Sequence, residues 1–370
     1  MVRQQSGASS RCPLPAAVHI GGVQYTGRED STAKERDVAG DATLCHANQK
    51  RLIIFAGRSN PDLGGKIADL LGVRLGTVIL KTFANGENYC RYEESIRGCD
   101  AFIVQSPCGP ATLNLHLMEL LLMIQAAKLA SARRVTAVMP YFPYARQDKK
   151  SAAREPISAR LIANLLEAAG ADRVLSMDLH QGQVQGFFQI PVDHMTAVPM
   201  LADHFAFRDW GGTPVVAVSA DAGGLKLAKR FQNHIPDCEL AVLTKQRPAH
   251  NRAEVMHFMG DVRDKVAIII DDMIDTAGTT TAAVETLYEN GAKEVYVAAT
   301  HGIFSPPAKQ RIRDSAVKEV VVTDTIHIKL EPEDTKIKVL SVAGVLAKVL
   351  RAVFDDESVS DIFAGEHQLF

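Results

Sequence analysis

From Arg51 onward, short β-branched runs alternate with longer helical patterns, and this rhythm constrains the fold more than any other feature of the chain. Leu52–Phe55, Ala101–Val104, Val135–Val138 and Val174–Leu175 read as strands. Helical stretches cover Leu113–Ala130 and Ile157–Ala169, the second with Pro156 before it and Gly170 after it, placements that suit helix ends. The pattern then restarts with strands at Val215–Val218, Leu240–Leu243, Val266–Ile270, Val295–Ala298 and Val320–Val322. Helices interleave from Gly224 and over Thr279–Glu289. Buried apolar strands alternating with helices predict an α/β fold of mainly parallel sheets flanked by helices. The rhythm runs twice, with a boundary near Val198 and Pro199. The expected organisation is an N-terminal domain over 49–198, joined by the tail 355–370, and a C-terminal domain over 199–354. A closed eight-fold barrel is the rival, but the charged, Pro-rich stretch at 140–156 interrupts such a cycle.

Residues 1–48 show neither hydrophobic period and no apolar core of signal-peptide length, so secretion is not expected. A plain disordered extension is the expectation. The stretch before Glu29 holds Arg3 and Arg11 and no acid, which leaves organelle targeting open beside a cytoplasmic location. Over the whole chain, 46% hydrophobic and 23% charged residues exclude disorder throughout. A net charge of −2, from 41 basic and 43 acidic side chains, argues against a general nucleic-acid partner. No apolar run approaches the roughly 18 residues of a membrane span, so no membrane partner is expected. The six cysteines form no C-x-x-C pair and read as reduced thiols.

Ligands of parallel sheets bind beyond the carboxyl ends of strands, and the chemistry-bearing residues cluster there. The strongest signal is Val266–Ile270 followed by Asp271, Asp272, Asp275, Thr276, Ala277, Gly278 and Thr279. An apolar strand delivers two carboxylates, and a loop of small and hydroxyl residues then opens a helix. Such a loop can wrap backbone N–H groups around a phosphate at the positive helix end. The bland reading is a strand, a turn and a Thr-capped helix. No G-x-x-x-x-G-K-[ST] occurs, so this is no Walker loop. Asp221, Ala222, Gly223 and Gly224 follow another strand, where glycines let backbone approach a pyrophosphate; Asp221 alone would be an N-cap. Asp178-Leu179-His180 ends a strand in the first half, where a lone His is usually structural. Arg146, Lys149, Lys150 and Arg154 crowd one segment, which could be a solvated loop. Lys245–Asn251 lacks either period and reads as a surface loop.

Taken together, these segments resemble one family, the ribose-phosphate pyrophosphokinases, from about Arg51 to Phe363. The resemblance also rests on Phe83-Ala-Asn85-Gly-Glu87, on Pro143–Lys149 and on Thr300-His-Gly-Ile-Phe304-Ser305. It implies two tandem phosphoribosyltransferase-like domains and transfer of the diphosphoryl group of ATP to the 1-hydroxyl of ribose 5-phosphate. It implies that Lys245 and Arg247 are catalytic. Phe83, Asn85 and Glu87 would hold the adenine of a neighbouring subunit's ATP, with Arg146, Gln147, Asp148, Lys149 and His180 also on ATP. Ribose 5-phosphate would lie on Asp271, Asp272 and Asp275–Thr279, and the β,γ-phosphates on Asp221–Gly224. Magnesium (Mg2+) would be held by His180 and Asp221, with water as the expected link to the imidazole, since nitrogen is atypical for so hard a cation. Inorganic phosphate and ADP are the implied effectors, on Ser95, Arg97, Ser131, Arg154, Ser358, Val359, Ser360 and Phe363. The implied assembly is a homo-oligomer of the hexamer-of-dimers type. Gln246, Gly182 and the polar strand Tyr89–Tyr92 depart from the usual pattern. A catalytically silent regulatory subunit is the alternative, but such relatives tend to lose catalytic-loop residues that this chain keeps. A phosphoribosyltransferase consuming the product would not need the Phe83–Glu87 element.

Overall fold

A computed structural model describes residues 50–246 and 255–363 of the chain. The N-terminal extension, Arg247 and the last seven residues therefore lie outside the described residues. The first half runs β1 (Leu52–Ala56), α1 (Pro61–Leu71), β2 (Val78–Thr82), β3 (Asn88–Tyr92), β4 (Asp100–Val104), α2 (Leu113–Leu129), β5 (Arg134–Met139), α3 (Ser158–Ala169), β6 (Arg173–Met177) and β7 (Val192–Met195). Helix α4 (Val198–Ala206) leads into β8 (Val215–Ser219), α5 (Leu225–Asn233), β9 (Glu239–Gln246), β10 (Val255–Met259) and β11 (Val266–Ile274). There follow α6 (Gly278–Glu289), β12 (Glu294–Gly302), α7 (Ala308–Asp314), β13 (Glu319–Thr323), β14 (Ile337–Leu340) and α8 (Ala343–Asp355). Short 3₁₀ turns cover Gly182–Phe187 and Ser360–Phe363.

These strands form two open sheets, not a barrel. The first, ordered β1-β4-β5-β6-β7, is parallel throughout. The second is ordered β10-β9-β8-β11-β12-β13-β14 and is parallel except for the β9–β10 pair. β2 and β3 make a separate antiparallel hairpin.

The period-2 alternation of side chains explains why the central strands read as unbroken apolar runs. Phe102 and Val104 of β4 face one core, while Ala101 and Ile103 face another that includes residues of α2 and α3. In β11, Ile268 and Ile270 join the same core as Phe102, while Ala267 and Ile269 face the side that holds α6 and α7 residues. The two sheets thus share one continuous apolar layer, with α1, α4, α5 and α8 contributing to it. The expected boundary at Val198 and Pro199 falls at the start of α4, whose Leu201 and Phe205 lie in that layer. The chain end is tied back as well. Asp356 pairs with Lys50 and with Arg134 (2.8 Å), and Phe363 is buried in the shared layer.

The sequence reading passed over several elements. The β2–β3 hairpin, apart from its Tyr89–Tyr92 stretch, was missed: its apolar run is only Val78-Ile79-Leu80, and the ribbon is half-exposed. β7 and β14 are only four residues long, too short for a periodic signal.

A partly buried ion cluster braces the amino end of the second sheet. Glu319 at the start of β13 lies 2.7 Å from His204 Nε2 and accepts from Arg208 Nη2 at 2.9 Å. Arg208 in turn sits 5.1–5.5 Å from the ring centres of Phe205, Trp210 and Tyr296. Burial pushes the Glu319 carboxyl up, but the hydrogen bonds from His204 and Arg208 outweigh it and hold the group below its ordinary 4.5. A depressed carboxylate contributes stability that is present above the unfolded value and lost as pH falls through the folded one. Glu319→Gln should therefore cost about 1–3 kcal/mol near neutral pH, and the difference from the parent should shrink as pH drops below 4.5. Urea unfolding across that range checks this; a pH-independent difference would show that the charge is not the stabilising feature.

Candidate active site

In the second sheet the chain order reverses between β8 and β11, so their carboxyl ends flank a crevice. The loop after β8 is closed by short local bonds: Gly224 N–H donates to Asp221 Oδ1 at 2.8 Å, and Ser219 Oγ donates to the Asp221 carbonyl at 2.6 Å. A Cβ on Gly224 would come within 2.9 Å of Ser219 Oγ, which explains the glycine. Asp221, Ala222 and Gly223 are exposed, leaving their backbone open to a ligand.

The neighbouring loop follows β11. This strand runs to Ile274 rather than stopping at Ile270, so Asp271 and Asp272 are strand residues. Their carboxyls interact directly with each other. Asp272 Oδ2 reaches His180 Nδ1 at 2.7 Å, across from the first sheet. Burial, then the Asp272 charge, push the Asp271 carboxyl well above the usual range, and Asp221 adds to this. Burial also opposes ionisation of Asp272, but the hydrogen bond with His180 outweighs it and holds Asp272 low. The same bond raises His180. Among the described residues no group of three His, Cys, Asp or Glu gathers into a cage for a metal ion.

Beyond Ile274 the loop turns through Ala277 in the left-handed region (φ 59°) and enters α6 at Gly278. A strained non-glycine residue of this kind persists only where its surroundings hold it. Two arginines grip the loop. Arg146 Nη2 binds Asp275 Oδ2 at 2.6 Å, and Arg311 Nη1 donates to the Thr276 carbonyl at 2.9 Å. Burial raises Asp275, but bonds from Ser305 and Arg146 reverse this and leave its pKa low. Arg311 was not anticipated; it lies on α7, and no local pattern marks it.

A buried polar network, also unassigned by the sequence reading, joins the carboxyl ends of the two sheets. Asp178, strained at φ 36°, accepts from Ala197 N–H at 2.8 Å and from Thr300 Oγ1 at 2.7 Å. His301 Nε2 lies 3.0 Å from the Met177 carbonyl and 3.2 Å from that of Asp178, so this nitrogen carries the proton. Burial lowers the pKa of His301, consistent with a neutral ring. The network fixes the turn from which His180 projects. The Asp178–His180 and Thr300–Ser305 motifs were the signals for it.

The remaining predicted residues divide. Asp148 is buried and accepts from Gln183, and Gln147 Oε1 accepts from Ser158 Oγ at 2.5 Å; Lys149 is exposed. Phe83, Asn85 and Glu87 form the exposed tip of the β2–β3 hairpin. Among the described residues no hydrogen bond or ion pair links that tip to His180, Arg146 or Asp272. Lys245 stands in β9 opposite Met256, on the antiparallel pair at the sheet edge. Arg247 lies outside the described residues. Ser95 and Arg97 line a cavity of about 390 Å³ against α2, and the Ser131 carbonyl accepts from Gly98 N–H at 2.9 Å. Arg154, Ser358 and Ser360 are exposed, Val359 is half-buried, and no hydrogen bond among the described residues joins them to Ser95 or Arg97.

Comparison with known proteins adds the following. The N-terminal domain of ribose phosphate pyrophosphokinase matches residues 52–170, and the phosphoribosyl synthetase-associated domain matches residues 235–364. The chain is 44% identical over 354 residues to the chloroplastic ribose-phosphate pyrophosphokinase 2 of Arabidopsis thaliana, covering 96% of this chain and 88% of the relative. It is 50% identical over 317 residues to the ribose-phosphate pyrophosphokinase of Clostridium tetani, covering 85% and 98%. The fold superposes on the crystal structure of phosphoribosylpyrophosphate synthetase from Mycobacterium smegmatis with a TM-score of 0.78 and 46% identity, covering 83% of this chain and all of that one.

Proposed function

This chain belongs to the ribose-phosphate pyrophosphokinase family, and from that membership and the site geometry we infer that it transfers the diphosphoryl group of ATP to the 1-hydroxyl of ribose 5-phosphate. The oxygen of that hydroxyl attacks the β-phosphorus, the bond from this phosphorus to the α,β-bridging oxygen breaks, and AMP departs with that oxygen. The hydroxyl proton goes to solvent, because no side chain is assigned as its base. The observation that carries the reading is the meeting of two open phosphate-type loops, Asp221–Gly224 and Asp275–Thr279, with His180 brought from the other sheet onto Asp272. The retention of His180, Asp221, Lys245 and Arg247 favours an active enzyme over a silent regulatory subunit.

In this reading ribose 5-phosphate lies on Asp271, Asp272 and the loop to Thr279, where α6 supplies N–H groups to the 5-phosphate. The pyrophosphate portion of ATP lies against Asp221–Gly224. Arg146 must exchange its bond with Asp275 for ATP oxygens, so the ATP segment and the sugar-phosphate loop are in direct contact before either ligand arrives. The donor set suits magnesium. Asp271 is pushed up by burial and by the charges of Asp272 and Asp221, and a cation would relieve that repulsion. His180 and Asp221 would hold it, with phosphate oxygens and water completing the shell. When bound, magnesium supplies positive charge against the triphosphate oxygens.

The experiment is an AMP-release assay with ATP and magnesium, with and without ribose 5-phosphate. AMP release is expected only with the sugar phosphate; release that ignored it would overturn the assignment.

Regulation and assembly extend the proposal. Ser95, Arg97 and Ser131 would combine with Arg154 and with Ser358–Phe363 at a subunit contact of a homo-oligomer, binding inorganic phosphate or, in competition, ADP. Arg can grip phosphate bidentately and Ser hydroxyls fill the remaining acceptors. Arg97→Ala and Ser360→Ala should abolish activation by phosphate while phosphate-independent turnover persists. Truncating the tail is a poorer test, because Phe363 is part of the core. An unchanged phosphate response in both variants would place the effector site elsewhere. Among the described residues no helix is long and apolar enough to cross a membrane. The proposed compartment is the cytoplasm, with an organelle reached through residues 1–48 as the alternative raised by the chloroplastic relatives.

A further inference from the structure

The hairpin that carries Phe83, Asn85 and Glu87 is a two-stranded ribbon, which is marginal on its own and takes its orientation from what it docks on. Its far end is packed: Val78, Leu80, Cys90 and Tyr92 lie against the core of the first sheet, and Tyr92 Oη donates to the Met123 carbonyl at 2.8 Å. Its tip end has no such packing, and residues 81–87 are all exposed. What holds that end is polar. Arg58, two residues beyond β1, donates through Nη2 to Thr82 Oγ1 at 3.0 Å and to Asn88 Oδ1 at 3.1 Å. Thr82 and Asn88 are the cross-strand pair immediately before and after the Phe83–Glu87 tip.

Arg58 is itself fixed. Its Nε donates to Oε2 of Glu119 on α2, and its backbone N–H donates to Oε1 at 2.9 Å. Glu119 is 1% exposed, and its Oε1 also accepts from Gln105 Nε2 at 2.9 Å. A buried carboxylate is costly unless paired and hydrogen-bonded, and this one has both. The guanidinium is planar, so anchoring one edge on Glu119 sets where the other edge points. Asn88 Nδ2 adds a bond to the Leu115 carbonyl of α2 at 2.8 Å.

We propose that Arg58 and Glu119 form a positioning clamp that aims the hairpin tip at nucleotide. The proposal rests on the reading of Phe83–Glu87 as an ATP-binding element. Neither clamp residue touches substrate; both act through the tip. ATP affinity should therefore depend on the clamp, while chemistry and sugar-phosphate binding should not.

The test is steady-state kinetics on Arg58→Met, which keeps an apolar stem, on Thr82→Val, which leaves the Arg58–Glu119 pair intact, on Phe83→Ala, and on the Arg58→Met/Phe83→Ala double variant. Each single variant should raise KM for ATP, with Arg58→Met and Phe83→Ala near tenfold. In Arg58→Met and Thr82→Val, kcat and KM for ribose 5-phosphate should change less than about twofold, a split that general destabilisation would not give. The double variant should be no worse than the poorer single one, since the clamp has nothing left to aim. A raised KM in Phe83→Ala with unchanged values in both Arg58→Met and Thr82→Val would overturn the clamp alone. Additive losses in the double variant would also overturn it. An unchanged KM for ATP in Phe83→Ala would remove the tip from nucleotide binding and overturn both readings.

Discussion

Lys245→Ala and Arg247→Ala should each lower kcat about 100- to 1000-fold, the usual cost of roughly 3–4 kcal/mol for losing one well-placed stabilising group. Diphosphoryl transfer asks little covalent chemistry of the protein but much charge stabilisation as the bond to the leaving oxygen breaks. Two cations that meet the phosphates mainly in the transition state contribute to kcat rather than to ground-state binding. KM for ATP should accordingly move far less than kcat in both variants. Lys245 stands in β9 at the antiparallel edge, two strands away from β11, which carries the proposed sugar-phosphate residues Asp271 and Asp272. Steady-state and single-turnover rates would decide the matter. A drop below about tenfold in both variants would mean that this segment only covers the site.

Gly278→Val should weaken ribose 5-phosphate binding by about 10- to 100-fold, equivalent to roughly 1.4–2.8 kcal/mol, and leave ATP binding nearly intact. The residue stands at the first position of α6, the end at which helix N–H groups lack intrahelical acceptors and can meet an anion. A Cβ there would first meet Arg311 Nη1 at 3.2 Å, the far end of a flexible side chain, so the fold should tolerate the change. The added methyls would occupy the space a phosphate needs. Separate titrations of the two ligands, with a thermal melt of each protein, test this. Equal weakening of both ligands would indicate general disruption instead.

Much of the candidate site was legible because it sits at strand ends. Val266–Ile270 is apolar and β-branched, so a strand was certain, and the small residues from Thr276 to Thr279 marked the turn into a helix. The same local logic located Asp221–Gly224 after Val215–Val218 and His180 after Val174–Leu175. The extent of β11 was not legible. Asp271 and Asp272 are poor strand formers by propensity, yet both lie within β11, and the parallel neighbour β12 pairs Asp271 with Ala299.

The sequence alone determined the α/β class, the two-fold rhythm and the loops that carry charge and small residues, because each is written within a window of some ten residues. Only the tertiary structure decided which loops meet. Asp272 finds His180 ninety-two positions away, Arg146 finds Asp275 at a separation of 129, and His301 reaches the Met177 carbonyl at 124. It also decided that Arg58, an unremarkable residue after a strand, is fixed by a carboxylate 61 positions later. Such pairings follow from sheet order and from the apolar layer that both sheets share, and no local propensity encodes either.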